Sequence, residues 1–251
     1  MTDWIVITAP GSGIGQSITP YLLGQGYGIL GMGRQSSLEY LQTLDFADIH
    51  AIACDYTSEQ SMEQAFATAR SEVDRIVGLI HLVGGSLVSR RLEMLDLATF
   101  KQVLAVNTDS TFLAGREAVR WMKETGGGNL IFFGSTTGFE PSAGKLAYGV
   151  AKAAVHTMTQ SFALETSGDQ IICNTIAPSY VMTERHQQEI ASKVAAGASS
   201  RVELLEQLQA KNPLHQILDP SELLPTVDLL LHTKVIQGQI LRVDLGQVGI
   251  A

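Results

Sequence analysis

Seven short apolar runs, spaced by amphipathic segments, constrain this chain more than any other feature of its sequence. They are Trp4 to Thr8, Gly28 to Met32, Ile49 to Cys54, Ile76 to Val83, Asn129 to Phe133, Ile171 to Ala177 and Gln239 to Val243. Near-continuous apolar runs of this length are expected of strands covered on both faces. Helical patterns lie between them: Ser17 to Gly26, Ser36 to Leu44, Thr57 or Ser58 to Asp74, Leu97 to Lys123, Ala147 to Thr166 and Pro220 to Leu231. Met62, Ala65, Phe66 and Ala69 line one face of the third, and Val155, Met158, Phe162 and Ala163 one face of the fifth. Strand–helix alternation at this spacing implies parallel βαβ units with right-handed crossovers. The expected fold is therefore α/β: a single doubly wound Rossmann-type domain over residues 1–251, with a seven-stranded parallel sheet and helices on both faces. No repeat, low-complexity tract or linker divides it. Ser36 is expected to cap the second helix, and Pro20 to kink or strain the first.

The bulk properties narrow the function. A hydrophobic fraction of 45% over 251 residues supports a large core. A formal charge of -8 argues against nucleic acid or an anionic membrane as partner, because both are recognised through excess Lys and Arg. No apolar run approaches the roughly 20 residues that cross a bilayer, and no basic segment followed by an apolar stretch marks a signal peptide. Cys54 and Cys173 lie in strand-like runs, as buried thiols in a reducing compartment would. A cytoplasmic location is expected. The six histidines are scattered, none at metal-ligand spacing from another His, Cys or carboxylate, so no metal is expected.

The first strand enters Ala9-Pro10-Gly11-Ser12-Gly13-Ile14-Gly15 and then a helix. This order aims free backbone N–H groups and a helix N-terminus at phosphate oxygens. At the end of the second strand stands Gly33-Arg34. An acidic residue there would bind the ribose 2′-hydroxyl of NAD, whereas an arginine can fork onto the 2′-phosphate of NADP. Asp55, after the third strand, can accept from an adenine amino group, cap the next helix, or do both.

A second cluster runs from Ser135 to Lys152. Tyr148 and Lys152 are four residues apart, which puts both on one face of a helix. Ser135 follows the fifth strand. A hydroxyl at a strand end, facing a phenol with an ammonium beneath it, suits proton transfer to a carbonyl oxygen. No Gly-x-Ser-x-Gly elbow marks Ser135 as a hydrolase nucleophile. His81 reads as a satisfied core histidine. Arg90-Arg91 read as solvated charges or as contacts to an acidic substrate handle. Residues 179–212 are too long for a plain connection.

In these motifs the chain resembles the short-chain dehydrogenase/reductase family, in its NADP-preferring branch of about 250 residues. The family's T-G-x-x-x-G-x-G corresponds to Thr8 to Gly15, its N-x-x-x-P-G-x-x-x-T to Asn174 to Thr183, and its T-G-Q-x-x-x-V-D-G-G to Gln237 to Gly246. The thirteen-residue step from Ser135 to Tyr148 matches the family spacing. The resemblance implies a catalytic tetrad of Asn107, Ser135, Tyr148 and Lys152. It implies NADP(H) bound by Gly11, Ser12, Gly13, Ile14, Gly15, Arg34, Asp55, Tyr56, Val83, Gly84, Val181 and Thr183, with Tyr148 and Lys152 at the nicotinamide end. Lys152 would favour the phenolate and bind the nicotinamide ribose, and Asn107 would hold a water. The implied activity is hydride transfer between nicotinamide and a carbonyl or secondary alcohol, with 3-oxoacyl thioesters, small ketones and sugar-derived compounds all open as substrates. Residues 179–212 would form a substrate lid, and Leu87, Val88, Phe139 and Tyr180 an apolar pocket. Association into dimers or tetramers is implied, with the end Val248-Gly249-Ile250-Ala251 suited to burial there. Several positions depart from the pattern: Ala9, Pro10, His81-Leu82-Val83-Gly84 in place of N-N-A-G, Ser179 and Leu245. These departures keep a second reading open, a non-catalytic NADP(H)-binding sensor or scaffold.

Overall fold

The computed structural model describes residues 2–197 and 199–249. Strand β1 (Trp4–Thr8) passes through the glycine turn into helix α1 (Gly15–Gly24) and returns as β2 (Gly28–Gly33). Then follow α2 (Gln35–Gln42), β3 (Ile49–Ala53), α3 (Glu59–Glu72) and β4 (Gly78–His81). Helices α4 (Leu97–Leu104) and α5 (Ser110–Thr125) precede β5 (Gly128–Phe133), α6 (Leu146–Glu165) and β6 (Ile171–Pro178). The chain closes with α7 (Glu184–Ala195), α8 (Arg201–Gln209), α9 (Leu224–His232) and β7 (Ile240–Val243). The seven strands form one parallel sheet in the order β3-β2-β1-β4-β5-β6-β7. Strand order reverses between β1, which pairs with β2, and β4, which pairs with β1 on its other side. The carboxyl ends of β1 and β4 thus open a crevice, the place where doubly wound sheets bind ligands.

Side-chain alternation divides the core into two layers. Val6, Leu79, Leu130 and Phe132 pack with Phe66, Trp121 and Val155 of α3, α5 and α6 on one face. Ile5, Ile7, Ile80 and Ile131 pack with Ile18, Leu22, Val227 and Leu230 of α1 and α9 on the other.

Local chemistry explains where elements differ from expectation. Helix α2 starts at Gln35, with Arg34 rather than Ser36 at its N-cap and no side-chain cap. The carbonyl of Arg34 instead accepts from Ser37 and Leu38. For α3 the cap is Ser58, whose hydroxyl accepts from the Ser61 N–H. Helix α1 continues through Pro20. Proline has no N–H to offer the Gln16 carbonyl, and the Tyr40 hydroxyl donates to that carbonyl in its place at 3.2 Å.

The single helix expected over Leu97 to Lys123 is interrupted by a π-helical turn at Ala105–Asp109. Here the Asn107 side-chain amide donates to the Val103 carbonyl at 2.9 Å, taking an acceptor of the i→i−4 ladder. The N–H of Ser110 then reaches back five residues to Ala105. A side chain inserted into the ladder is a common origin of such a bulge.

Residues 179–212 are anchored at their start. The Ser179 N–H bonds the Val243 carbonyl at 3.1 Å, and Val181 bridges to Leu218. Beyond that they form α7 and α8. Only Ile190 of α7 is buried, and no residue of α8 is.

Candidate active site

The glycine turn is shaped by close approaches. A Cβ on Gly15 would lie 2.4 Å from the Pro10 carbonyl oxygen, so the start of α1 can pack against the turn only with glycine there. On Gly13, a Cβ would lie 2.4 Å from Cβ of Thr183. Gly13 therefore seats the entry to α7 directly on the turn. Ser12 folds the loop through its side chain, accepting from the Gly15 N–H at 3.2 Å. No acidic side chain occupies the first turn of α1, which leaves that helix N-terminus suited to an anion.

At the end of β2, Arg34 is exposed. A Cβ on Gly33 would meet Ser37 Cβ at 2.6 Å and the Tyr56 hydroxyl at 3.0 Å, so an acidic side chain has no room at that position. Tyr56 itself is buried, and its hydroxyl donates to the Met32 carbonyl at 3.1 Å. Asp55 folds its own loop, accepting from the Thr57 N–H at 3.0 Å and hydroxyl at 2.8 Å. Those bonds, with the charge of Arg34, hold its carboxyl below the usual range.

The tetrad residues converge at the carboxyl ends of β4 and β5. Ser135 is buried just past β5, and its hydroxyl accepts from the Thr137 N–H at 3.2 Å. Lys152 is 3% exposed and donates to the Phe133 carbonyl at 2.6 Å. Its ammonium lies 5.7 Å from the centre of the Tyr148 ring. Burial lowers the Lys152 pKa to about 8. Burial also pushes the Tyr148 phenol up, while the Ser135 hydroxyl and the charge of Arg185 pull it back. A residue of α7 thus acts on the phenol in addition to the nearby Lys152.

Val83 is buried beside Gly84. Gly84 has φ 152, and a Cβ there would lie 2.6 Å from Asn107 Oδ1 and 2.9 Å from Lys152 Nζ. Asn107 Oδ1 accepts from the Gly85 N–H, and its Nδ2 donates to the carbonyls of Gly85 and Val103. Both donors of this side-chain amide, and one acceptor position of its oxygen, are engaged by backbone groups.

A family model described as short chain dehydrogenase matches residues 3–194. The chain belongs to the short-chain dehydrogenase/reductase family. It is 30% identical to galactitol 2-dehydrogenase (L-tagatose-forming) of Cereibacter sphaeroides, over 96% of this chain and 92% of that protein. It is also 30% identical to 2-dehydro-3-deoxy-D-gluconate 5-dehydrogenase of Bacillus subtilis (strain 168), over 76% of this chain and 80% of that one. The solved structure of ElxO with NADP bound has the same fold, with a TM-score of 0.90 and 22% identity over 99% of each chain.

In this short-chain dehydrogenase/reductase, two of the positions that depart from the family's glycines keep a backbone that favours glycine, whereas Ser179 does not. Ala9 and Leu245 have φ 53 and 57, in the left-handed region. Where the family carries asparagine after β4, His81 is buried in a chain of hydrogen bonds. The Leu82 N–H donates to the Thr8 hydroxyl, which donates to His81 Nδ1 at 3.0 Å. His81 Nε2 then donates to the Ser110 hydroxyl at 3.1 Å, which donates to the Val106 carbonyl. This direction fixes the neutral tautomer with hydrogen on Nε2, because the Val106 carbonyl can only accept. Burial lowers the His81 pKa to about 3.

The pair Arg90-Arg91 does not face the site as free charges. Arg90 pairs with Asp96 at 3.0 Å and Arg91 with Glu93 at 2.9 Å. The cations near the site are Lys145 and Arg185, which no spacing in the sequence marks. Lys145 Nζ donates to the Ser86 hydroxyl at 2.9 Å. Of the expected apolar pocket, Leu87 and Phe139 are exposed, and Phe139 stacks on His156 at 4.4 Å. Tyr180 stacks on His186 at 4.5 Å. Among the described residues, no group of three or more His, Cys, Asp or Glu is arranged to hold a metal ion.

Proposed function

We propose that this oxidoreductase uses NADP(H) to interconvert a ketone and a secondary alcohol. The observation that carries the reading is the convergence of Ser135, Tyr148 and Lys152 beside the crevice between β1 and β4. NADP(H) fits the residues that surround that crevice. The turn from Gly11 to Gly15 offers backbone donors and a helix N-terminus to the pyrophosphate, while Arg34 meets the 2′-phosphate and the preceding Gly33 leaves no room for an acidic side chain at its own position. Asp55 and Tyr56 border the adenine, Val83 and Gly84 the centre of the cofactor, and Val181 and Thr183 its nicotinamide end. The NADP-bound state of the similar ElxO structure supports the same choice. When bound, the cofactor supplies or accepts the hydride.

The chain's own residues handle the proton. Ser135 and Tyr148 hydrogen-bond the substrate oxygen, and Tyr148 gives it a proton during reduction. The ordinary phenol pKa near 10 is a poor match to neutral pH. The ammonium of Lys152 and the guanidinium of Arg185 both favour the phenolate. Asn107 holds the Gly84–Gly85 backbone against Lys152 and so positions the ammonium. Helices α7 and α8 act as the substrate lid, hinged where Thr183 rests on Gly13.

The buried thiols of Cys54 and Cys173, both pushed up by burial, suit a reducing cytoplasmic setting. Exposed Phe112 and Val150 on α5 and α6 make those helices the proposed surface for self-association. Val248 is buried within the chain itself, and Ile250 and Ala251 lie outside the described residues. No helix is long and apolar enough to cross a membrane among the described residues. A panel of ketones, sugars and 3-oxoacyl thioesters, followed through the nucleotide absorbance with NADPH and with NADH, tests the reading. Turnover with NADPH is expected. Nucleotide binding without turnover on the panel would favour a sensor.

A further inference from the structure

The mouth of the site carries a charge pattern at odds with the rest of the molecule. The protein as a whole bears a net charge of -8. Yet two cations from separate elements reach two adjacent residues, Gly85 and Ser86, of the segment after β4. Lys145, at the N-cap of α6, donates to the Ser86 hydroxyl at 2.9 Å. Arg185, in the first turn of α7, brings Nη1 within 3.3 Å of where a Cβ on Gly85 would lie. Gly85 is the residue clamped by Asn107, and its neighbour Gly84 abuts Lys152. Arg185 also acts on the Tyr148 phenol, and Ser86 follows directly on the Gly84–Gly85 pair, so both cations border the proposed site.

Their acidic partners do not account for them. Lys145 is half-buried and has no carboxylate within ion-pair distance among the described residues. Its ammonium loses protons more readily than usual, mainly through burial, and the nearby charges are Glu189 against Arg185, Lys193 and Lys211. Arg185 meets Glu189 only through Nε, at 3.4 Å between half-exposed side chains. An exposed pair of this kind contributes little. Nη2 lies 3.5 Å from His186 Nε2, which leaves Nη1 as the guanidinium nitrogen facing Gly85. Holding an unpaired ammonium in a half-buried place costs stability, and an anion bound there would offset that cost.

We propose that Lys145 and Arg185 form a carboxylate subsite, so that the substrate is an oxo acid or hydroxy acid whose charged group lies two or three bonds from the reacting carbon. This rests on Tyr148 being the proton donor, which places the reacting oxygen. The carboxylate is held by the Lys145 ammonium and Arg185 Nη1, with the Ser86 hydroxyl as third donor. Reduction leaves the carboxylate unchanged. The carbonyl carbon takes the hydride, and the oxygen takes the Tyr148 proton.

The test compares acetoacetate and levulinate with their methyl esters, using NADPH and NADH, on the full chain. The same samples are titrated calorimetrically with pentanoate and pentanamide in the presence of NADP. Wild type is expected to favour acid over ester by about tenfold or more in kcat/KM, the size of one lost charge-assisted hydrogen bond. Lys145→Gln and Arg185→Gln are each expected to bring that ratio to within about twofold, while Lys145→Arg retains it. Arg91→Gln, whose guanidinium pairs with Glu93, should leave the ratio unmoved. Esters used as well as acids by wild type, or a ratio unmoved in both glutamine variants, would overturn the subsite and leave the reductase reading standing. Absence of turnover on every substrate counts against that reading, and calorimetry then decides the subsite. Binding of pentanoate but not pentanamide, lost in Lys145→Gln, supports it, and equal heats overturn it.

Discussion

Asn107 and Gly85 hold each other by two hydrogen bonds, Gly85 N–H to Asn107 Oδ1 and Asn107 Nδ2 to the Gly85 carbonyl, each at 3.0 Å. The same amide occupies the Val103 carbonyl, so one side chain fixes both the π turn and the loop after β4. Removing it leaves three backbone groups without this partner, the Val103 carbonyl in a buried place and the two Gly85 groups in a partly buried one. Asn107→Ala is expected to lose about 2–4 kcal/mol of stability in urea denaturation. It should also weaken turnover more than it weakens nucleotide binding, because Gly84 no longer confines Lys152. A variant as stable and active as wild type would remove Asn107 from this role.

Tyr148→Phe removes the only proposed proton donor and leaves the ring in place. Turnover is expected to fall by about 10²-fold or more, as for loss of a general acid, with NADPH affinity by fluorescence titration changed little. Near-normal turnover would sink the assignment of Tyr148.

Cofactor preference should be set at the end of β2. Arg34→Asp replaces a fork that meets the 2′-phosphate with a charge that repels it. The ratio of kcat/KM for NADPH over NADH is expected to drop by about 10-fold or more, the effect of losing one charged hydrogen bond. The finding against it would be an unchanged ratio.

His81 makes stability depend on acid. Its folded pKa, lowered to about 3, lies below the unfolded value of 6.5. The unfolded chain therefore binds the proton first as pH falls. Stability is fully present above about pH 6.5 and is lost progressively toward pH 3. At about pH 4.5 the loss from this residue is about 3 kcal/mol. His156, lowered to about 4 by burial, adds to the same trend. Urea titrations at neutral and acid pH should show a shallower decline in His81→Asn, whatever its stability at neutral pH. An undiminished decline would mean that other groups govern it.

Ala9 tests the strained turn. With φ 53 it pays for a left-handed backbone that glycine adopts freely. Ala9→Gly exchanges that strain for unfolded-chain entropy, and the two nearly cancel, so stability should shift by less than about 1 kcal/mol. Ala9→Val puts a branched side chain in the same region and should cost about 2–3 kcal/mol. Equal denaturation midpoints for both variants would show that the turn relaxes.

Legibility in the sequence followed the range of the interactions. The strands from Trp4, Gly28, Asn129 and Ile171 were readable because burial on both faces imposes continuous apolar runs. Tyr148 and Lys152 were readable as neighbours because four residues make about one helical turn. The break at Asn107 was not, since it depends on Asn107 meeting Gly85, 22 residues away, and a helical pattern does not record side chains that turn back into the ladder. For the same reason Ser36 looked like a cap, although the chain already enters α2 at Arg34. Helix α8 gave little periodic signal because it buries no residue.

What the sequence by itself determined is the α/β class, the order of strands and helices along the chain and the pairing of Tyr148 with Lys152 on one helix face. Each of these follows from local spacing and from which side chains avoid water. Tertiary structure alone decided that Lys145 and Arg185, 40 positions apart, reach adjacent residues at the site mouth. It also decided that Arg90 and Arg91 are tied to nearby acids, and that His81 carries its proton on Nε2. Charges act through space and hydrogen bonds have direction, so their partners are chosen only when the sheet has brought distant segments together.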